Sequence, residues 1–411
     1  MLKPSGFTTK ILHAPFAKED VHRALHQPIY SNAAFDFESA EQMELAFQGR
    51  LPIHAYSRIS NPTVENLELR IKQITGALNV TALSSGMAAI SNVIFLLASS
   101  GSNIIASRHQ FGNTYVFFES TIRDLGIETR FCDLNNADEV LANIDEKTVA
   151  VFVETITNPQ LEVVDLSLLA QVAHRNNVPL IADSTLTPPN VFAAKNFGVD
   201  IEVISSTKCI SGGATSVGGL IVDYGTFDWS KSAKLAPLFK RFGPFAFNYK
   251  LRREIFRNLG ACLSPFAAYL QTLGLETLQL RFEKAVRNSF ELTAFLETLT
   301  QIKAVNYPGK EGSEFYEVSK RQFGDFPGAM LTFDFESREA CFAFMNKLQL
   351  IKRATNVYDN KSLIIHPAST IYCDMDSEKR ALLDVSDLSL RLSVGIEDIE
   401  DLKADILQAL N

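Results

Sequence analysis

The sequence predicts an α/β chain: a mostly parallel central sheet, a smaller C-terminal α+β domain and an N-terminal arm. Two observations predict it. Short continuous apolar runs recur through the middle of the chain with helical stretches between them. From Leu263 onward that rhythm gives way to one long amphipathic helix and a different set of strands. A third observation bounds the size. The chain has 411 residues, 46% hydrophobic and 21% charged, enough for two or three domains and too apolar to stay disordered.

Residues 1–60 read as an arm. They hold Pro4, Pro15, Pro28 and Pro52, and their only helical piece lies near Ser39 to Phe47. Such an arm is either disordered or docked on a neighbouring subunit. Residues 61–260 read as the large domain. Its strand runs are Asn79–Leu83, Ile104–Ala106, Thr148–Val153, Pro179–Ala182, Ile201–Ile204 and Gly219–Val222. Uninterrupted runs are what parallel strands buried on both faces show. Leu166 to Arg175 is one of the intervening helices. Residues 261–411 form the C-terminal domain with a linking helix, on which Leu278, Phe282, Ala285, Ser289, Leu292 and Leu296 share a face. Gly328–Phe335, Ser362–Ile365 and Leu388–Val394 then read as strands. Glu339–Leu350 and Ile399–Leu410 read as helices.

Charge and cysteine usage exclude several classes. The net charge is -8 and no basic stripe appears, so nucleic acid is not an expected partner. Cys132, Cys209, Cys262, Cys341 and Cys373 are scattered, without a C-x-x-C pair, so neither a disulfide framework nor a metal site is expected. A reducing, cytoplasmic setting fits this pattern. Met1 to Gly6 carries no apolar run of the kind a secretory leader needs. Ala88 to Ala98 is too short to span a bilayer and carries Ser91 and Asn92, so no membrane is expected.

Three segments carry chemistry. In Ser205-Ser206-Thr207-Lys208-Cys209-Ile210-Ser211-Gly212-Gly213 a lysine follows a buried strand and sits among hydroxyls. A desolvated lysine is a usable amine nucleophile, and nearby hydroxyls and loop amides can hold a phosphate. Alone, Lys208 is more often a solvated surface charge. In Pro179-Leu180-Ile181-Ala182-Asp183 a strand ends on an aspartate, where open α/β sheets bind ligands. A carboxylate there can keep a heterocyclic nitrogen protonated; alone, it is more often a turn cap. In Leu83-Ser84-Ser85-Gly86-Met87 a strand runs through a tight turn into a helix, whose free amides suit a phosphate. Many structural turns look alike.

Together, an amine, a carboxylate for a ring nitrogen and a phosphate cradle are what pyridoxal 5′-phosphate requires. Their order resembles the Cys/Met metabolism family of PLP enzymes, of fold type I (aspartate-aminotransferase-like), from about Tyr30 to Leu410. The resemblance implies that Lys208 is the Schiff-base and catalytic lysine and that Asp183 pairs with the ring nitrogen. Ser85, Gly86, Met87, Ser205 and Thr207 then surround the phosphate. Asn158, in Glu154-Thr155-Ile156-Thr157-Asn158-Pro159, bonds the phenolic oxygen, and Phe111 stacks on the ring. Tyr56 and Arg58, in Tyr56-Ser57-Arg58-Ile59-Ser60-Asn61-Pro62, reach the phosphate of a neighbouring subunit, in a dimer of dimers. Arg391, in Arg391-Leu392-Ser393-Val394-Gly395, holds the substrate α-carboxylate, and Asn356 lies beside it.

Within the family the O-acetylhomoserine sulfhydrylase branch is the most similar. Gly213 to Asp223 with Phe227-Asp228-Trp229, Leu259 to Leu278, and Asn356 to Thr370 point to it; Asn356 and Lys361 stand where lyases and cystathionine synthases usually show serine and glutamate. The implied reaction is γ-replacement: O-acetyl-L-homoserine plus sulfide, or a small thiol, gives homocysteine, or methionine, and acetate. Methionine γ-lyase or cystathionine γ-synthase is the alternative on the same scaffold. A non-catalytic PLP-binding or sulfur-carrier-docking protein is the alternative of another class. A sulfur-carrier protein as physiological donor stays open. The sequence departs from the family at Phe111, which lacks a usual tyrosine hydroxyl, at Ser184, and at Ala214 and Tyr372. The first two are expected near the cofactor. Cys209 is either a reactive thiol or, more commonly, a small buried hydrophobe.

Overall fold

The computed structural model describes residues 6–16 and 20–411; Pro4 and the leader question at residues 1–5 lie outside the described residues. A seven-strand sheet is built from β1 (Asn79–Leu83), β2 (Asn103–Ser107), β3 (Glu128–Cys132), β4 (Thr148–Glu154), β5 (Leu180–Asp183), β6 (Ile201–Ile204) and β7 (Gly219–Asp223). Its spatial order is β1-β7-β6-β5-β4-β2-β3. Five of the strands pair in parallel, β6-β5-β4-β2-β3.

The expected runs form these strands because each is buried on both sides. Val151, Val153, Leu180, Ala182 and Ile204 face one core, while Ala150, Phe152, Ile181, Ile201 and Val203 face the other. β7 departs from the parallel reading: it runs antiparallel to both β1 and β6. An apolar run reports burial and not direction. Direction follows the connection, and between β6 and β7 there is a loop with one 3-10 turn, Cys209–Ser211, in place of a crossover helix. β3 escaped the sequence because it is an edge strand with Glu128 and Arg130 on it, and its burial is partial.

A five-strand sheet follows: β8 (Ala304–Asn306), β9 (Met330–Asp334), β10 (Lys352–Arg353), β11 (Leu363–Ile365) and β12 (Ser389–Ser393), ordered β10-β11-β12-β9-β8. All pairs but β10–β11 are antiparallel. β8 and β10 are too short to give a periodic signal. One face of the sheet packs Leu331, Phe333, Leu390 and Leu392 against Leu292 and Leu296 of the helix Leu278–Glu297 and against Leu402 and Ile406 of the helix Ile399–Leu410. The six expected positions on the first of these helices are all buried.

The helix Pro265–Glu276 packs on the helix Pro62–Thr75 and on the Cys209–Ser211 turn. Gly274 faces Gly212 there; a Cβ on Gly212 would lie 2.9 Å from the Gly274 Cα. The arm is docked on its own chain, contrary to the expectation of disorder or a neighbouring subunit. A second helical piece, Phe7–Leu12, packs on the helix Pro62–Thr75 with Ile11 in the main core. Arg70 donates to the Ile11 carbonyl, and the Tyr30 amide donates to Thr63 Oγ1. Val21 and Leu25 of the arm are left exposed. Among the described residues no helix is long and apolar enough to cross a membrane, and no group of three or more His, Cys, Asp or Glu side chains is placed to hold a metal.

Candidate active site

A cavity of about 340 Å³ opens at the carboxyl ends of β1, β4, β5 and β6. Ser85, Gly86, Met87, Phe111, Asn158, Asp183, Ser205, Thr207, Lys208 and Arg391 all line it. A larger cleft of about 610 Å³ near His109, Glu162 and Asp384 contains none of these groups.

Lys208 enters from the loop after β6. Its Nζ donates to Asn356 Oδ1 at 2.7 Å. Burial, then the Arg391 charge, pushes its amine down to about 8, against the pull of Asp183. Asp183 ends β5, and its Oδ1 accepts the Thr185 amide at 2.9 Å. Burial raises its carboxyl above the ordinary range, opposed by the Thr185 bonds and by Lys208. Glu154 ends the adjacent β4 and is raised further, because burial and the Asp183 charge act together. Of the two carboxyls Glu154 is pushed up the more, since Asp183 alone has the lysine's charge to oppose burial.

The helix Gly86–Leu97 begins at the cavity. Ser85 caps it by accepting the Ala88 amide at 3.0 Å. The Gly86 and Met87 amides lie in the first turn and have no intrahelical acceptor. Ser205 closes this cradle from the other side so tightly that a Cβ on Gly86 would lie 2.7 Å from the Ser205 Cβ. The Ser205 amide donates to Thr185 Oγ1 at 2.8 Å, and the Thr207 hydroxyl is held by the Gly218 backbone.

Arg391 comes from the middle of β12 and is 1% exposed. Its Nη1 donates to Asn158 Oδ1 at 3.0 Å and its Nη2 to the Asn356 carbonyl at 3.2 Å. Its Nε has no partner, and among the described residues no carboxylate forms an ion pair with it. A buried guanidinium with an unused N–H beside a cavity is a site for an incoming carboxylate.

Three expected residues lie outside the cavity wall. Asn356 reaches the site through its bond to Lys208. Tyr56 and Arg58 are not brought to this chain's cavity: Tyr56 is exposed, and Arg58 lies 5.4 Å over its ring and donates to the Arg257 carbonyl at 2.6 Å. Ser184, expected near the cofactor, turns away into the core, where its hydroxyl bonds Glu202. Burial pushes the Glu202 carboxyl up to about 7. Burial likewise pushes the Cys209 thiol up to about 12, so it is a buried small side chain and not a ready nucleophile.

Sequence reasoning missed Glu154, Thr185 and Glu202 as parts of the site and its support. The signal for the two glutamates was present: an acidic residue inside or ending an otherwise apolar strand. The donor set fits pyridoxal 5′-phosphate. It has a desolvated amine, a buried carboxyl for the ring nitrogen, and an amide and hydroxyl cradle that one methyl group would fill.

The Cys/Met metabolism PLP-dependent enzyme model matches residues 8–411. An O-acetyl-L-homoserine sulfhydrylase of Corynebacterium glutamicum is 35% identical, covering 98% of this chain and 96% of its own. A solved structure of an O-acetylhomoserine sulfhydrylase from Wolinella succinogenes is 50% identical with a TM-score of 0.78, covering 86% of this chain and 99% of its own. A second, an O-acetylhomoserine (thiol)-lyase from Campylobacter jejuni whose lysine carries a pyridoxyl monophosphate, is 32% identical with a TM-score of 0.94, covering 99% of this chain and all of its own. With a family match over residues 8–411 and relatives that agree with it over nearly its whole length, the chain belongs to the Cys/Met metabolism PLP-dependent enzyme family.

Proposed function

We propose that this chain is an O-acetylhomoserine sulfhydrylase of methionine biosynthesis, which replaces the acetoxy group at Cγ of O-acetyl-L-homoserine with sulfide or a small thiol. The observation that carries the reading is the buried, unpaired Arg391 placed in one small cavity with the desolvated Lys208. Lys208 and the Ser85–Met87, Ser205 and Thr207 cradle would hold the cofactor, with Asp183 at its ring nitrogen and Phe111 on its face. Pyridoxal 5′-phosphate supplies there an electron sink for charge developing at Cα of the amino acid.

The chain's own residues do the rest. Arg391 takes the α-carboxylate with a fork already aligned by Asn158 and the Asn356 carbonyl. That fixes Cα facing the lysine. An amine poised near 8 can take the Cα proton and return it at neutral pH. Acetate leaves Cγ, sulfide adds there, and homocysteine is the product; methanethiol would give methionine.

Tyr56 and Arg58 fall outside this chain's cavity, which supports a site completed by a second copy in a homotetramer. The arm, residues 1–60, would reach that copy through its exposed stretch at Val21 and Leu25, beside a large domain at 61–260 and a C-terminal domain at 261–411. A sulfur-carrier protein as donor and a cytoplasmic location belong to the same reading. Arg58→Ala should weaken cofactor retention, and mixing it with Lys208→Ala should restore activity if subunits share sites.

The test is homocysteine formation from O-acetylhomoserine and sulfide by the cofactor-loaded protein. Methionine alone, and O-succinylhomoserine with cysteine, run beside it. Homocysteine from the first mixture only is expected. Ketoacid from methionine, or cystathionine from the third mixture, with no homocysteine, would move the chain to a lyase or cystathionine synthase.

A further inference from the structure

Tyr372 lies just after the turn Pro367–Ser369, in the C-terminal part of the chain, and is 1% exposed. It does not line the cavity. Its hydroxyl instead donates to the Gln110 carbonyl at 2.6 Å and stands 3.2 Å from the Asn158 carbonyl. Among the described residues neither carbonyl has another donor.

Both targets carry a wall of the site. The Gln110 carbonyl belongs to the same peptide group as the Phe111 amide, and that amide donates to Glu154 Oε1 at 2.8 Å. One planar unit is thus held at its acceptor end by Tyr372 and at its donor end by Glu154, which fixes the plane from which the Phe111 side chain departs. Asn158, held at its carbonyl, presents Oδ1 to Arg391 Nη1. A single hydroxyl therefore spans the loop that carries the ring wall and the turn that aligns the arginine.

We propose that Tyr372 is a positioning residue for the γ-replacement, setting the Phe111 wall and the Asn158–Arg391 carboxylate clamp in one frame. This rests on the sulfhydrylase reading above. Sulfide needs no carboxylate clamp, so the effect belongs to the amino-acid substrate alone.

The experiment is Tyr372→Phe in the cofactor-loaded enzyme, compared with Tyr307→Phe. Tyr307 is equally buried and its hydroxyl donates to the Gly328 carbonyl at 2.9 Å, but it touches neither the Phe111 loop nor Asn158. Tyr372→Phe leaves two buried carbonyls without a donor and Tyr307→Phe leaves one, so both should lose Tm, the first by somewhat more. Only Tyr372→Phe should raise the KM for O-acetylhomoserine, by about fivefold or more, with the KM for sulfide unchanged. It should weaken L-homoserine binding by calorimetry to the same degree and alter the visible circular dichroism of the bound cofactor. Tyr372→His keeps a ring in the core while moving the donor off the two carbonyls. The same split is expected of it, and it serves if the phenylalanine variant does not fold. A Tm loss in Tyr372→Phe with KM, homoserine binding and dichroism all unchanged, as in Tyr307→Phe, would overturn the proposal. Absence of turnover in the wild type would instead strike at the sulfhydrylase reading, and binding and dichroism would still decide the role of Tyr372.

Discussion

The seven-strand sheet delivers its groups to the cavity from strand ends, whereas the five-strand sheet delivers Arg391 from a strand face. β4 ends at Glu154, β5 at Asp183, and the loop after β6 carries Lys208. Both faces of that sheet are core, so its chemistry is confined to where the strands stop. β12 alternates instead. Leu390 and Leu392 enter the core of the smaller sheet, while Arg391 points back toward the larger one. Buried on both sides, a sheet can change its loops without touching its core. Where one face is core and the other is site, stability and binding sit on adjacent residues.

Four changes break or sharpen this contrast, the largest first. Lys208→Ala removes the amine at a strand end and should lower homocysteine formation by at least about a thousandfold. The visible band of the bound cofactor should be lost, while the urea midpoint stays close to that of the wild type. An unchanged spectrum would rule Lys208 out.

On the smaller sheet, Phe333→Ala should cost about 3–5 kcal/mol in denaturant unfolding, because Phe333 is buried against Phe335 and Phe344. Its one-residue neighbour in pairing gives the opposite result. Arg391→Met should lower kcat/KM by about a hundredfold, the worth of the charged bonds it removes. The same change should leave the unliganded protein as stable or more stable by about 1 kcal/mol, because an enclosed cation without a counter-ion is replaced by an apolar chain. A large loss of stability in Arg391→Met would show that the face is structural after all.

The smallest effect is a pH limb. Burial and Arg391 depress the Lys208 amine from 10.5 to about 8. Below 8 the reactive neutral fraction falls about tenfold per pH unit. Cofactor uptake by the stripped enzyme should therefore rise with pH and level off above about 8. For stability the sign follows from the unfolded chain, which binds the extra proton between about 8 and 10.5; Lys208 is less unfavourable to folding as pH rises through that window. Uptake that is flat from pH 6 to 9 would show an amine already neutral.

Much of the site was legible because strand ends carry signals that survive in one dimension. Asp183 closes the run Leu180–Ala182, Lys208 follows Ile201–Ile204, and Gly86 sits between a strand and a helix. Arg391 was readable only through its family segment, because a lone arginine in an alternating strand is ordinarily solvated. The direction of β7 was not legible, since burial carries no polarity. Edge strand β3 was not, since charge on it hides its pairing. Tyr372 stood out as unusual, yet its two acceptors are far away in sequence, and hydroxyl-to-carbonyl bonds leave no pattern. Tyr56 and Arg58 illustrate the opposite case: the sequence names them, but a single chain keeps them away from its cavity.

The unused Nε of Arg391 makes ligand recognition visible as heat resistance. A guanidinium enclosed in the core with no carboxylate beside it costs the fold stability, and an α-carboxylate that pairs with it offsets that cost. A binder of the folded form at a hundred times its Kd adds about 2.7 kcal/mol. Melting curves across a panel of amino acids would then rank carboxylate, side-chain length and leaving group by occupancy alone, before any product is assayed.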